Sequence, residues 1–188
     1  MASPRSSIVD LSVTEYYHCV SRCVRRAYLC GRDPLTRRNY EHRRQWILDR
    51  VKYLSSMFSI DICAYAIMHN HYHLVLKVDV EEAQQWSDDE VNRRWGELFP
   101  LSKPETTNQK EQISLWREKL CSISWFMKAL NEWLARKSNK EDKCTGKFWE
   151  GRFKSQALLD ETALRSCMAY VDLNPIRAKI TQKLEDSD

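Results

Sequence analysis

Two hydrophobic periods take turns along this chain of 188 residues. Tyr16 to Val24 (YYHCVSRCV) is dense in aromatic and β-branched residues and reads as a strand. Gly31 and Pro34 interrupt that pattern. Asn39 to Met57 then places Trp46, Ile47, Val51 and Leu54 at helical spacing, with arginines between them. Phe58 to Met68 is again strand-like, with Ile60, Ile62, Ala64 and Ala66 on one face, and a further strand from His71 to Val78 closes a hairpin. Residues 81–110 are polar, with Trp86, Trp95 and Phe99 as isolated anchors, and read as an inserted helix plus a loop through Pro100 and Pro104. From Gln109 to Lys137 the spacing predicts one long amphipathic helix, with Ile113, Trp116, Leu120, Met127, Leu130 and Leu134 in a stripe. Lys147 to Leu158 reads as the last strand. Asp160 is placed to cap a helix ending at Asn174, because Pro175 has no N–H to give and biases its predecessor away from helical dihedrals.

The resulting order is β, α, β, β, α, β, α. It predicts an α+β fold, a ferredoxin-like antiparallel sheet packed with helices, plus one additional C-terminal helix. Residues 1–188 read as a single domain with a helical insertion at about 81–110. No apolar run is long enough for a membrane-spanning helix, and the first residues lack the apolar stretch of a secretory signal. A cytoplasmic setting is therefore expected, with the seven cysteines as reduced thiols. The chain stops without a clear terminal element, as a fragment of a longer protein would.

Charge changes the picture in two places. The formal net charge is only +4, yet residues 1–53 carry eleven Lys or Arg against five Asp or Glu. Residues 136–154 carry seven against three, with Phe148, Trp149 and Phe153 among them. Phosphates bind such surfaces and exposed rings stack on unpaired bases, although a solvated basic face fits the same counts.

The candidate chemistry sits on two elements. In HYHLVLKV the side chains alternate, so His71 and His73 point to one face, spaced so that both imidazoles can reach one ion. A bare H-x-H is more often a pair of satisfied polar histidines than a metal site. His69 brings zinc into view as well, together with a module built on His18, Cys19 and Cys23, but no C-x-x-C spacing supports it. Near the C-terminus, Tyr170 and Asn174 lie four apart and share a helix face. In isolation they read as a core aromatic and a helix end.

Four stretches taken together resemble the REP-associated tyrosine transposases and their relatives, the single-tyrosine HUH (IS200-like) transposases. They are YYHCVSRCVRRAYLCG (16–31), YAIMHNHYHLVL (65–76), GKFWEGRFKSQ (146–156) and AYVDLNPIRA (169–178). The resemblance spans nearly the whole chain apart from about residues 81–110. It departs at His69, where the family usually has a small residue or proline.

The resemblance implies roles residue by residue. His71 and His73 match the metal ligands, Tyr170 the nucleophile, and Asn174 the polar residue that completes the metal site. Arg152, Lys154 and Arg177 are candidate phosphate contacts, with ordinary surface charge as the alternative. The implied activity is a strand transferase that cleaves and rejoins single-stranded or hairpin DNA through a 5′-phosphotyrosine. It would use Mg²⁺ or Mn²⁺, ions that accept mixed imidazole and amide ligands, and would work as a homodimer. A DNA-binding protein that keeps the fold and the hairpin recognition, without productive transposition, is the alternative function.

Overall fold

The computed structural model of the chain describes residues 9–24 and 28–177, the last three by backbone alone. Four strands form one antiparallel sheet in the order β2-β3-β1-β4. They are β1 (Tyr16–Arg22), β2 (Ile60–Ile67), β3 (His71–Val78) and β4 (Lys154–Ala157). Six helices complete the fold: α1 (His42–Met57), α2 (Val80–Gln85), α3 (Asp88–Leu98), α4 (Gln109–Leu120), α5 (Ile123–Asp142) and α6 (Glu161–Arg177). The strand order is that of the ferredoxin-like arrangement.

The period-two pattern of β1 and β3 divides the molecule. Tyr17 and Cys19 of β1, with Tyr72, Leu74, Leu76 and Val78 of β3, turn into the main core, which α1 and α5 close with Ile47, Leu54, Phe126 and Leu130. The opposite face carries Val75, Ala64 and Ala66, covered by α6 through Val171, Leu164 and Met168. Both faces of β3 are therefore buried over much of its length.

Five local expectations change in the fold. The β2 residues Ile60, Ile62, Ala64 and Ala66 do not share a face, because a bulge between Ile62 and Ala64 shifts the register against β3. Ile60 and Ile62 stay with the main core, whereas Ala64 and Ala66 pass to the α6 side. The long helix expected from Gln109 breaks between Leu120 and Ile123. The Leu120 carbonyl accepts from Ser59 N–H at 3.1 Å, a tertiary bond that competes with helix continuation, and Ser122 takes extended dihedrals.

The last strand is shorter than Lys147 to Leu158. From Val20 to Cys23 is three steps on β1, but their partners Lys154 and Trp149 are five apart, so two extra residues loop out around Gly151 and Arg152. Helix α6 begins as expected, the Asp160 carboxylate accepting from Ala163 N–H at 2.7 Å, but runs through Pro175 to Arg177. Inside the insertion there are two helices rather than one. Each is capped at its N-terminus, Asp79 accepting from Glu82 N–H and Ser87 from Glu90 N–H.

A buried ionic cluster ties the helical layer together. Arg43 is about 1% exposed and donates through Nε to Glu141 (2.6 Å), through Nη2 to Asp142 (2.6 Å) and through Nη1 to the Tyr28 carbonyl (2.9 Å). These carboxylates sit at the C-terminal end of α5, where the helix dipole disfavours negative charge, so the guanidinium offsets both. Arg43→Met should destabilise the fold by about 2–4 kcal/mol, since two carboxylates and a carbonyl lose their donor. Urea denaturation measures it, and a loss below about 0.5 kcal/mol would show the cluster to be dispensable.

Candidate active site

The uncovered part of the sheet's second face forms a cleft of about 570 Å³. Val20 and Arg22 of β1, His71 and His73 of β3, Lys154 of β4, Tyr170 of α6 and the Glu150–Arg152 loop line it. Antiparallel pairing puts Val20 opposite His73 and Arg22 opposite His71, which is why four side chains from two strands reach one space. The looped-out pair of residues before β4 delivers Arg152 to the same rim.

Helix α6 brings Tyr170 to the histidines. Its ring lies 5.8 Å from the His73 ring and 6.4 Å from the His18 ring, edge-on to both, and the residue is 43% exposed. The neighbouring Val171 is fully buried in the small core with Val75, Ala64 and Ala66. Tyr170 is thus held by its neighbour's packing, at roughly 1.5–3 kcal/mol for a buried valine.

The histidines have their donors arranged. His71 Nδ1 lies 2.7 Å from Asn70 Oδ1; as an amide oxygen can only accept, Nδ1 carries the proton and Nε2 keeps its lone pair. His73 Nδ1 lies 2.9 Å from His18 Nε2, and the two rings stack at 5.1 Å. His73 Nε2 is buried and has no hydrogen-bond partner among the described residues. A buried nitrogen without a partner calls for one, a place that a bound cation would fill. Burial, assisted by the positive charges of His18, His71 and Arg22, pushes His73 down to about 4; burial also lowers His71 and His18. All three imidazoles are then neutral near pH 7, the form that ligates metals. The pair fits a divalent ion through its two Nε2 atoms.

Asn174 lies one turn beyond Tyr170 and is not among the residues lining the cleft. Its Nδ2 donates to the Tyr170 carbonyl at 3.0 Å, which turns the amide nitrogen to the backbone and leaves Oδ1 as an acceptor. The side chain of Arg177 lies outside the described residues, so only Arg152 and Lys154 of the three expected phosphate contacts are placed, both exposed in the cleft. The module of His18, Cys19 and Cys23 does not form. Cys19 and Cys23 are buried in the main core, while His18 faces the cleft side beside His73. Among the described residues, no group of three or more His, Cys, Asp or Glu side chains is placed to hold a metal. His69 is directed elsewhere, its ring lying against Gly31, where a Cβ would meet it at 2.2 Å.

Three cleft or near-cleft residues were not anticipated from the sequence: His18 as a partner of His73, and Arg22 and Glu150 as lining groups. His18 and Arg22 were legible in principle. They lie on the same face of β1 as Val20, and the His18–His73 pair is the diagonal neighbour in an antiparallel ladder.

No protein-family model and no curated protein matches the sequence. Among solved structures, the chain is similar to a REP-associated tyrosine transposase bound to a REP hairpin, with a TM-score of 0.51 at 10% identity over 99% of this chain and 79% of that one. The fold is that of a REP-associated tyrosine transposase. A candidate transposase from Deinococcus radiodurans R1 is also similar, with a TM-score of 0.42 at 13% identity over 92% of this chain and 96% of that one. At such identities the likeness lies in the fold, and the reading of individual residues rests on the cleft itself.

Two predictions follow from the histidine environment. Because the folded state holds these imidazoles below their ordinary value of 6.5, it binds fewer protons than the unfolded chain as pH falls from there toward about 4. Stability of the metal-free protein should therefore be full above about pH 7 and decline through that window, with part of the decline removed in His73→Gln. Urea midpoints taken across the range test this, and a variant with an unchanged profile would dissociate His73 from the effect. The second concerns orientation. His18→Phe keeps a ring but removes the hydrogen-bond partner of His73 Nδ1, and should weaken Mn²⁺ binding about 10–100-fold in calorimetry with little change in thermal midpoint. Undiminished Mn²⁺ affinity would leave His18 without that role.

Proposed function

We propose that this chain is a DNA strand transferase that cleaves and rejoins single-stranded, hairpin-forming DNA, with Tyr170 as nucleophile. One observation carries the reading: Tyr170 stands beside His73, over a cleft whose rim presents Arg22, Arg152 and Lys154. The fold shared with a transposase that binds a REP hairpin supports the same choice of substrate.

A phosphodiester is anionic and a weak electrophile, so attack on it needs positive charge around the phosphate. Arg22, Arg152 and Lys154 line the space where a strand would pass, and none of them has an ion-pair partner among the described residues. The Tyr170 oxygen would attack phosphorus as it loses its proton, the P–O3′ bond would break, and the released 3′-oxygen would take up a proton. The products are a 5′-phosphotyrosine and a free 3′-hydroxyl. Because the bond energy stays in the phosphotyrosine, a second 3′-hydroxyl can displace Tyr170 with no nucleotide cofactor. His71 Nε2, His73 Nε2 and Asn174 Oδ1 would hold Mg²⁺ or Mn²⁺, which supplies charge neutralisation and orientation at the scissile phosphate. The reading extends to a homodimer, as the family resemblance implies.

The test uses end-labelled hairpin DNA with Mn²⁺, resolved on a denaturing gel. A covalent protein–DNA adduct should form, disappear with chelator, and fall at least about 1,000-fold in Tyr170→Phe, which has no oxygen to attack with. An adduct that survives in Tyr170→Phe sinks the assignment of the nucleophile. A retained gel shift with no adduct from the unaltered chain would instead mark a hairpin-binding protein.

A further inference from the structure

The cleft beside Tyr170 does not end at β4. Gly151 and Arg152, which form its rim, are also walls of a second depression of about 390 Å³ bounded by Trp149, Lys128 and Trp125. Trp125 and Lys128 in turn line a third and larger one, about 840 Å³, between α5 and the loop that follows α3. The three depressions share walls, so together they make one groove that leaves the cleft, rounds the β4 edge and continues along α5.

Its α5 wall carries cations and aromatic rings, and faces the apolar Leu98 at the end of α3 with Phe99, Pro100 and Leu101 of the loop after it. The charged and aromatic α5 residues that line the groove fall on a single helical stripe about 22 Å long, from Trp125 and Lys128 through Trp133 and Lys137 to Lys140. The carboxylates of the third depression are already neutralised, Glu132 by Arg136 and Glu105 by Lys119. Lys128, Lys137, Lys140 and Arg152 form no ion pair among the described residues. Lys128 sits 4.3 Å over the Trp125 ring, and Lys137 4.5 Å over Trp133. Trp125, Trp133 and Trp149 are half-buried and line the groove. Cations without a carboxylate partner among the described residues, interleaved with half-buried aromatic rings, match a polyanion with unstacked bases, which is single-stranded nucleic acid.

We propose that this groove holds the single-stranded DNA flanking the hairpin, which leaves the cleft over Arg152 and lies along the exposed stripe of α5. The inference rests on the strand-transferase reading for the identity of its strand. It goes beyond it by assigning the insertion's loop and the outer face of α5, on the far side of the β4 edge from Tyr170, to substrate binding.

The experiment measures fluorescence anisotropy on hairpins that are blunt or carry a 3′ or a 5′ single-stranded flank of about 4–16 nucleotides. The proteins are Tyr170→Phe, in which chemistry cannot disturb the equilibrium, and the same chain with Lys128→Gln, Lys137→Gln and Lys140→Gln. One polarity of flank should tighten binding by about tenfold or more in the first protein. The triple substitution should abolish that gain while leaving blunt-hairpin affinity and thermal midpoint in place, and should lower the salt slope on flanked DNA by about 2. If neither polarity tightens binding, or if the triple variant weakens blunt and flanked hairpins by the same factor, the groove proposal is wrong. A larger gain from an RNA flank than from a DNA flank would overturn the assignment to DNA. The two readings fail separately: an adduct without a flank effect removes only the groove, whereas a flank effect without an adduct removes only the strand transferase.

Discussion

The position of Tyr170 depends on a small patch of apolar contact one residue away from it. Val171 is fully buried against Val75, Ala64 and Ala66, and this patch is the inner part of the surface where α6 meets the sheet. Helix geometry does the rest, since turning Val171 inward turns Tyr170 sideways by about 100°, toward His18 and His73. The patch itself exists because β3 is apolar on both faces: Leu74 and Leu76 fill the main core while Val75 supports α6. A polar residue at Val75 would leave the ferredoxin-like core intact and still release the helix that carries the tyrosine.

The bulge in β2 belongs to the same constraint. Without the shift between Ile62 and Ala64, the small residues of β2 would face the main core and its larger ones would lie under α6. Ala64 and Ala66 let α6 approach the sheet closely, which keeps Tyr170 within ring distance of His73 rather than above it in solvent. The irregularity in the strand is therefore part of how the cleft is assembled.

Much of this was legible in the sequence because it rests on period alone. Alternation in HYHLVLKV places His71 and His73 together and on the face opposite Leu74 and Leu76, and the fold agrees. The Asp160 cap and the helix bearing Tyr170 follow from local residue chemistry. What escaped has non-local causes. The break after Leu120 has no Gly or Pro to announce it and is fixed by a hydrogen bond from Ser59, 61 residues away in sequence. His18 became a partner of His73 only once the β1–β3 register was known, and the loop that carries Arg152 into the cleft is a register shift of two residues. Period predicts faces; it does not predict which strand lies beside which.

Electrostatics sets the character of the cleft more than net charge does. Three imidazoles are kept neutral by burial, inside a rim of cations that form no ion pair among the described residues, so the interior can ligate while the rim attracts phosphate. Those two demands compete, because a cation close enough to lower the histidines' affinity for protons lowers, by the same repulsion, their affinity for a divalent ion. Arg22 shows the conflict directly: it lines the cleft and helps to depress both His71 and His73. An anionic phosphate entering between Arg22 and the histidines would relieve that repulsion, so the affinities for cation and DNA should be coupled, each raising the other. Such coupling would restrict a complete site to the moment a strand is in place, which suits the proposed role of a Tyr170 that sits 43% exposed to solvent.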